Sequence, residues 1–457
     1  MSAKKEKLLF ILYIVGFFAM AMTMAIFQPL GDTWPVMANP PDEHARFLVP
    51  YYISQTGRIP TGFEEAVQIP SYGFSYALYN AFPYIVQGYV MWIVEQFTDS
   101  ALALLYAARF VNVASGLCMA VVVYKLAGRV FADTKMKFVF AFSVMYLPMN
   151  IFIHTYINTD SFCLTSTAMM VYAWVCAYKD GYNKKNVAWL CAGIILCALS
   201  YYNAYGFIVS SILIFLAFFL CKKDGKWNYD FKGMLRVGIP ICVVVLLGIG
   251  WWFIRSAILY DGDFIGIATR QKMMEMYAED YVNPLNAVTY KSRGYTLWQM
   301  IQETGYFDGM FVSFIAAFGS VSIIGNIWMY RMFKLFFYVG IAGFLLIRSK
   351  EKVEKRPRYI VFHLSMLLSI ALPFILTIHY AYTLDFQNQG RYILPIIVPL
   401  MIYVVRGIEK LVSLKKLPKW VGAVVSAAAI LLFVGSSLYM VYGLSLPLFL
   451  ETGVEML

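Results

Sequence analysis

The sequence predicts an all-α polytopic membrane protein, and three observations support this prediction. Of the 457 residues, 61% are hydrophobic and only 14% are charged. Apolar runs of about 20 residues, the length that a helix needs to cross the hydrocarbon core, recur along the chain. The alternating pattern of a membrane β-barrel is absent from these runs. Because lipid offers no partners to backbone N–H and C=O groups, such a chain is expected to cross the membrane as helices.

The apolar runs predict a bundle of about eleven transmembrane helices within a single membrane domain, residues 1–457. The first run follows three lysines and resembles a signal peptide, but it lacks a cleavage site of small residues, which favours a retained first helix. The seven cysteines are odd in number and have no metal-type spacing, so we interpret them as apolar filling. The candidate spans are 8–28, 103–124, 138–153, 161–178, 187–201, 204–221, 237–256, 328–347, 359–379, 391–405 and 420–444.

One further apolar segment, 76–95, contains Asn80, Pro83, Gln87 and Gly88. If it does not cross the membrane, the main basic stretches all lie on the side of the N-terminus, which the positive-inside rule identifies as cytoplasmic. We therefore predict a helix in the outer interface, with an ordinary span as the alternative. The net charge of +11 is then an orientation signal in a plasma membrane protein, not a nucleic-acid footprint. The basic stretches are 4–7, 125–137, 179–185, 222–236, 348–358 and 406–419.

This orientation predicts two large extracytoplasmic loops, residues 29–101 and 257–327, both with juxtamembrane helices. The C-terminal tail with Glu451 and Glu455 is also placed outside. All conspicuous polar motifs then share the outer face, which indicates a site at the membrane–water boundary. The motifs are PPDEHAR (40–46), HTYINTDS (154–161), YYNAYG (201–206), IRSAILYDGDF (254–264) and DFQNQGRYILP (385–395).

The first of these motifs admits two compatible interpretations. In the local one, Asn39 caps a helix, the prolines suit its first turn, and Asp42 and Arg46 form an i,i+4 pair. In the functional one, a carboxylate at a helix N-terminus beside an arginine stays ionised at neutral pH. Such a carboxylate can accept a proton from a hydroxyl nucleophile.

Three arginines are placed near the outer ends of spans: Arg109, Arg255 and Arg391. Arginine at membrane depth is usually paired or functional, and its fork suits phosphate oxygens, although each side chain can also snorkel to the interface. Gln389 and Gly390 precede Arg391 and predict a close backbone approach to a ligand.

The remaining polar residues leave alternatives open. Asn158 and Asp160 lie at a helix junction, where Asp160 either caps the next helix or positions a sugar hydroxyl or Arg391. Asp261 and Asp263 fit a glycine turn after a span. Asp42, Glu43 and Asp160 could in principle hold a divalent metal, but their spacing alone does not support such a site, so we predict no metal and no cofactor.

The architecture and several motifs resemble the GT-C superfamily of membrane glycosyltransferases. Asp42 and Glu43 lie where that superfamily has an acidic pair soon after the first span, and ALLYAARFVNVASG (103–116) resembles its second span. WWFIRSAILYDGDFIG (251–266) resembles a W-x-x-R-N…YGDP stretch, with Ser256 and Phe264 as departures. QGRYILPIIVPL (389–400) resembles the GRY-x-LP of bacterial polysaccharide-modifying members.

The resemblance implies an inverting transfer of sugar from a polyprenyl-phosphate-linked donor to an extracytoplasmic glycan or glycolipid, a cell-surface polysaccharide being the expected acceptor. Asp42 is the expected base, with Glu43 as the second choice. The remaining roles are grouped by ligand. The donor phosphate is assigned to Arg391, Arg255, Arg46 and His44, and the sugar or acceptor to Asn158, Asp160, Tyr202, Asn203, Gln389 and Tyr392.

Two other classes compete with this prediction. A transporter or flippase of lipid-linked glycans is expected to carry charges at mid-depth and pseudo-symmetric halves with broken helices, and neither is visible in the sequence. A polymerase or ligase of lipid-linked glycans also works at the outer face, but it typically relies on arginine and histidine without a first-loop acid pair.

Overall fold

The computed structural model describes residues 2–31, 37–223, 226–347, 357–414 and 417–452, and these form an almost entirely helical bundle. The helices are α1 (Ala3–Phe27), α2 (Glu43–Thr56), α3 (Phe82–Glu95), α4 (Ala101–Val130), α5 (Thr134–Met145), α6 (Pro148–Ile153), α7 (Asp160–Asp180), α8 (Lys184–Ala198), α9 (Tyr205–Phe218), α10 (Phe231–Leu259), α11 (Ile267–Tyr277), α12 (Leu297–Glu303), α13 (Tyr306–Ile315), α14 (Ile327–Leu346), α15 (Pro357–Thr383), α16 (Ile397–Val412), α17 (Lys419–Leu438) and α18 (Leu446–Thr452). Two short antiparallel hairpins pair β1 (Leu220–Lys223) with β2 (Lys226–Tyr229) and β3 (Ala317–Phe318) with β4 (Ile323–Ile324).

Within these ranges, eight helical segments are long and apolar enough to cross a membrane, and they correspond to eight of the eleven predicted spans. The other three predicted spans are shorter helices. The span 138–153 is divided into α5 and α6, since Pro148 cannot continue a helix but suits the first turn of a new one. Spans 187–201 and 204–221 correspond to α8, of 15 residues, and α9, of 14 residues.

Helices α1 and α4 are antiparallel neighbours. Near the start of α4, Arg109 Nη1 donates to the carbonyl oxygens of Ala25 and Gln28 at the end of α1, at 3.0 and 2.9 Å. Near the end of α4, Tyr124 Oη donates to Glu6 Oε1, in the first turns of α1, at 3.0 Å. The connection between them therefore leaves and rejoins the bundle at the same end. This geometry is the one expected if 76–95, which contains α3, makes no net crossing.

The basic ends of the helices lie together at the opposite end of the bundle. Lys137 Nζ is 2.6 Å from Glu6 Oε1, and Arg129 pairs with Asp180. Arg358 Nε donates to the carbonyl oxygen of Leu220 at 2.7 Å. These contacts join three of the basic stretches from which the orientation was predicted, 4–7, 125–137 and 179–185, and the contact of Arg358 is made next to a fourth, 222–236. Residues 348–356, 224–225, 415–416 and Glu455, which belong to those predictions, lie outside the described residues.

The two large loops that were predicted to be extracytoplasmic, 29–101 and 257–327, are called the outer loops below, and they pack against each other. Phe74 and Leu78 of the first loop form one apolar cluster with Met273 and Met274 of α11. The hairpin formed by β3 and β4 contacts the segment before α2, where the backbone N–H of Ser320 donates to the carbonyl oxygen of Met37 at 2.9 Å. The loops thus build one wall over the end of the bundle, and the polar motifs lie beneath it.

Candidate functional site

A cavity of about 580 Å³ lies between the two outer loops and the ends of α7, α8 and α15. It gathers residues from segments that are distant in the sequence. The lining comes from 41–46, 69–84, 159, 200–203, 270, 320–321 and 376–392. Four of the five predicted outer-face motifs therefore contribute to one cavity, and the motif 254–264 does not.

Asp42 lies at the cavity and directly before α2, with a left-handed backbone (φ 60°) that is uncommon for a residue other than glycine. Because α2 begins at Glu43, the predicted cap at Asn39 is wrong, and Asp42 itself makes no side-chain capping bond to the helix. Its carboxylate oxygen Oδ2 lies 3.3 Å from Arg46 Nη2 and 3.6 Å from Arg391 Nη2. The predicted i,i+4 pair is thus present and is extended by a second guanidinium.

This pairing sets the protonation state of Asp42. Burial of the carboxyl raises its pKa, but the charges of Arg46 and Arg391 lower it by more, so that the pKa of Asp42 lies below its usual value of 3.8. The side chain remains 43% exposed, which leaves the ionised carboxylate accessible from the cavity. It is therefore an anionic hydrogen-bond acceptor that a hydroxyl group can reach.

Arg391 is 6% exposed, and its guanidinium has more hydrogen-bond donors than partners. Its Nη2 donates to Tyr392 Oη at 3.0 Å, whereas Nε and Nη1 are buried with no hydrogen-bond partner in the described chain. Gly390 allows the chain before Arg391 to pack closely against α13, because a Cβ at this position would lie 2.2 Å from the backbone nitrogen of Phe314. The close backbone approach predicted for Gly390 thus exists, but it is made to the protein and not to a ligand.

Arg46 completes the charged group of the site. It is 8% exposed, and its Nη1 lies 3.5 Å from Asp160 Oδ2. Two buried arginines and two carboxylates thus form one connected network, in which Asp42 is shared by both guanidinium groups. Asp160 holds Arg46 from behind and is not part of the cavity wall.

Glu43, the second choice for the base, has a structural role instead. It is completely buried, with Oε2 2.6 Å and Oε1 2.9 Å from Arg109 Nη2 and Nε, and Oε1 also accepts the backbone N–H of Ile157 at 2.8 Å. Glu43 is the first residue of α2, and its side chain points into the bundle. Its carboxylate therefore joins α2 to α4 and does not line the cavity. Arg109 is therefore paired and does not snorkel.

Three more predicted contacts lie away from the cavity. Asn158 is completely buried; its Nδ2 donates to the carbonyl oxygen of Ile153 at 2.8 Å and its Oδ1 accepts the N–H of Ser161 at 2.9 Å, so it and not Asp160 caps α7. Arg255 donates to the carbonyl oxygen of Pro60 at 2.7 Å and lies over Trp252, which corrects its assignment to the donor phosphate. His44 is exposed on the other face of α2.

Tyr202, Asn203, Gln389 and Tyr392, which the sequence analysis assigned to the sugar or acceptor, line the cavity. Gln389 Oε1 is buried with no hydrogen-bond partner in the described ranges, so it can accept a bond from a ligand hydroxyl.

The sequence analysis missed part of this wall. Several tyrosines line it whose spacing forms no motif, and Arg270 of α11 joins them. The tyrosines missed in this way are Tyr72, Tyr76, Tyr79, Tyr84 and Tyr380, while Tyr201 lies in the motif 201–206 but was given no role. The abundance of aromatic residues in the first loop was the available signal for the tyrosines.

Among the described residues no group of three or more histidine, cysteine or acidic side chains is arranged to hold a metal ion. The charged centre of the cavity consists instead of arginine and aspartate.

Comparison with solved structures identifies the fold. The oligosaccharyltransferase AglB of Archaeoglobus fulgidus, solved with an inhibitory peptide and a dolichol-phosphate, superposes with a TM-score of 0.53 at 14% identity over 98% of this chain and 56% of its own. ArnT of Cupriavidus metallidurans, solved with undecaprenyl phosphate, gives 0.53 at 13% identity over 99% of this chain and 74% of its own. The chain thus has the fold of GT-C glycosyltransferases and spans just over half the length of the oligosaccharyltransferase.

Comparison of the sequence with known protein families assigns the chain to one of them. The family described as "Predicted membrane protein (DUF2142)" matches residues 62–401, and the chain belongs to this family of membrane proteins. No curated protein sequence matches it.

Proposed function

We propose that this protein is an inverting membrane glycosyltransferase that moves a sugar from a polyprenyl-phosphate-linked donor to a hydroxyl group of an extracytoplasmic acceptor. A cell-surface polysaccharide is the proposed acceptor. The observation that carries the proposal is the ionised carboxylate of Asp42 between Arg46 and Arg391 in a cavity of about 580 Å³. The fold shared with GT-C glycosyltransferases supports it.

The chemistry needs a base and a fixed cation, and the site offers both. Asp42 accepts the proton of the acceptor hydroxyl as its oxygen forms a bond to the anomeric carbon. The bond from that carbon to the phosphate oxygen breaks on the opposite face of the sugar, and the lipid phosphate leaves with the bonding electrons. Nε and Nη1 of Arg391 are free to donate to that phosphate, whose negative charge increases in the transition state.

The tyrosine wall suits the sugar. Rings and hydroxyl groups together offer flat apolar surface and hydrogen-bonding partners, which are the two features that sugar rings present. Gln389 and Tyr392 lie beside Arg391 and are proposed to contact hydroxyl groups of the donor sugar.

The placement of the charges favours transfer over transport. In the described chain the cavity arginines lie at one end of the bundle, while the fully buried pair Glu43–Arg109 is satisfied by its own partners. A polymerase or ligase of lipid-linked glycans uses the same face, and it differs from the proposed enzyme in not needing Asp42.

The test is radiolabelled sugar transfer from short-chain polyprenyl-phosphate sugars by the purified protein. We expect Asp42→Asn to lower turnover by about 10²- to 10⁴-fold while lipid phosphate binding is retained, since the amide cannot accept the proton. Arg391→Ala is expected to weaken polyprenyl phosphate binding by about 10- to 100-fold, the value of a charge-assisted hydrogen bond. Asp308→Asn, which removes an acid from a surface pair with Lys334, is the matched control.

Either of two results contradicts the proposal. If the turnover of Asp42→Asn is near that of the wild type, Asp42 is not the base, and a ligase is favoured. Absence of transfer from every donor, by a protein that still binds polyprenyl phosphate, favours a transporter.

A further inference from the structure

Arg270 is a third cation of the cavity, and it comes from the second outer loop through α11. Its guanidinium carbon lies 4.6 Å from the ring centroid of Phe74 and 5.6 Å from that of Tyr79. Its Nε is buried with no hydrogen-bond partner, and no carboxylate in the described chain lies within ion-pair distance. A cation that faces a cavity without an acid is available to an anionic ligand.

The position of Arg270 is fixed by the chain around it. Asp263, in the turn before α11, accepts the backbone N–H of Gly266 at 3.0 Å and of Thr269 at 2.8 Å. Gly266 has a positive φ of 74°, and a Cβ there would lie 2.0 Å from the carbonyl oxygen of Leu78. The first turn of α11 is therefore held tightly against the first loop, so the guanidinium of Arg270, four residues after Gly266, is part of a built wall.

The surroundings of Arg270 differ from those of Arg391. Arg391 shares the carboxylate of Asp42, whereas the titratable groups that act most strongly on Arg270 are the hydroxyls of Tyr79, Tyr380 and Tyr202. The other acid of the lining, Asp385, is exposed and accepts a hydrogen bond from Gln387 at 2.7 Å. Arg270 thus lies on a part of the wall that is rich in tyrosine, and no ion pair of the described chain links it to Asp42.

We infer that Arg270 forms a second anion site, which recognises a sugar that itself carries an acidic group, a carboxylate or a phosphate. The inference rests on the proposed function and narrows its substrate class to glycans with anionic sugars. The fork of the guanidinium binds the two oxygens of the acid while its face stays on the rings of Phe74 and Tyr79. The tyrosines then surround the sugar to which the acid is attached.

The test uses three monosaccharides with the same ring: glucose, glucuronic acid and glucose 6-phosphate. Their affinities for the full-length protein in detergent are measured by calorimetry, together with that of a short-chain polyprenyl phosphate. We expect the wild type to bind at least one acidic sugar about 10-fold or more tightly than glucose, as a charged hydrogen bond provides. The acidic sugar that binds more tightly shows whether the site prefers a carboxylate or a phosphate. In Arg270→Gln this preference is lost and polyprenyl phosphate affinity is unchanged.

The matched control is Arg331→Gln, since Arg331 lies over Trp328 at 4.6 Å, a similar stacking outside the cavity. Melting temperatures of both variants establish that they are folded. Equal affinity of the wild type for all three sugars, or a preference that survives in Arg270→Gln, overturns the inference. Loss of polyprenyl phosphate affinity in Arg270→Gln also overturns it, and places Arg270 at the donor phosphate. None of these results depends on sugar transfer, so failure of the proposed function is seen separately in the transfer assay.

Discussion

At the scale of single residues, two adjacent acids have opposite environments. Asp42 is shared by two guanidinium groups at a cavity, whereas Glu43 is fully buried against Arg109. The left-handed backbone of Asp42 makes its side chain point in a different direction from that of Glu43. A non-glycine residue in this conformation is typical of a functional position.

The lowered pKa of Asp42 predicts the acid side of the pH–rate profile. The carboxylate is the active form, so its activity is lost only as the pH falls through its pKa, which lies below 3.8. We expect kcat/KM of the wild type to stay constant from pH 7 to about pH 5. Arg46→Gln removes one charge that lowers the pKa and is expected to move the acid limb to higher pH. Arg129→Gln, at a surface pair with Asp180, serves as the control and leaves the limb in place.

The pair Glu43–Arg109 predicts a large effect on stability. Removal of one partner leaves a buried charge uncompensated, so Glu43→Gln and Arg109→Leu are each expected to cost about 3–5 kcal/mol. The double variant Glu43→Gln with Arg109→Leu is expected to lose less free energy of unfolding than the sum of the losses of the two single variants. Thermal unfolding in detergent measures all three. Strict additivity would show that the two side chains do not interact.

At the scale of elements, the helices were largely predictable and the directions of their side chains were not. Apolar length alone identified the spans, since lipid demands helices of that length. Which side of α2 faces the cavity depends on its contacts with α3 and α4, so the sequence did not show that Glu43 and His44 lie outside the cavity lining. Arg270 was missed because it lies in a polar helix without a motif and becomes part of the cavity only when the two loops pack.

The hairpin of β3 and β4 packs against the segment before Asp42, and we predict that it positions this residue. Gly319, at φ 58°, lies where a Cβ would be 2.5 Å from the carbonyl oxygen of Met37, five residues before Asp42. Gly319→Ala is expected to displace this segment and lower kcat about 10-fold or more, as small displacements of catalytic groups do, with less effect on donor KM. Gly294→Ala is the matched control, because Gly294 also has a positive φ but no atom within 4 Å of the added Cβ. An equal loss in both variants would point to backbone strain alone.

At the scale of the whole molecule, the two ends of the bundle have different chemistry. The basic stretches contact one another at the end with Glu6, and the cavity lies at the other end, beneath the two loops. The positive-inside rule assigns the first end to the cytoplasm, so the cavity is expected to open on the extracytoplasmic side of the plasma membrane.

Cysteine labelling tests this orientation in intact cells. In a background without native cysteines, we expect a membrane-impermeant maleimide to label Glu65→Cys and Glu303→Cys, in the first and second outer loops. Lys184→Cys, at the first residue of α8, is expected to react only after permeabilisation. All three side chains are exposed, so a lack of labelling is not explained by burial. Melting temperatures of the three variants control for folding.

Each alternative gives its own labelling pattern. If 76–95 crossed the membrane as an ordinary span, Glu65→Cys and Glu303→Cys would lie on opposite sides. If the whole bundle were inverted, only Lys184→Cys would react in intact cells, and a lipid-linked donor would then have to reach Asp42 and Arg391 from the cytoplasmic leaflet. The antiparallel contacts of α1 and α4 argue against the first alternative, because they return the chain to the same end of the bundle before α4 crosses. These contacts are unchanged in an inverted bundle, so only the labelling separates the second alternative from the expected orientation.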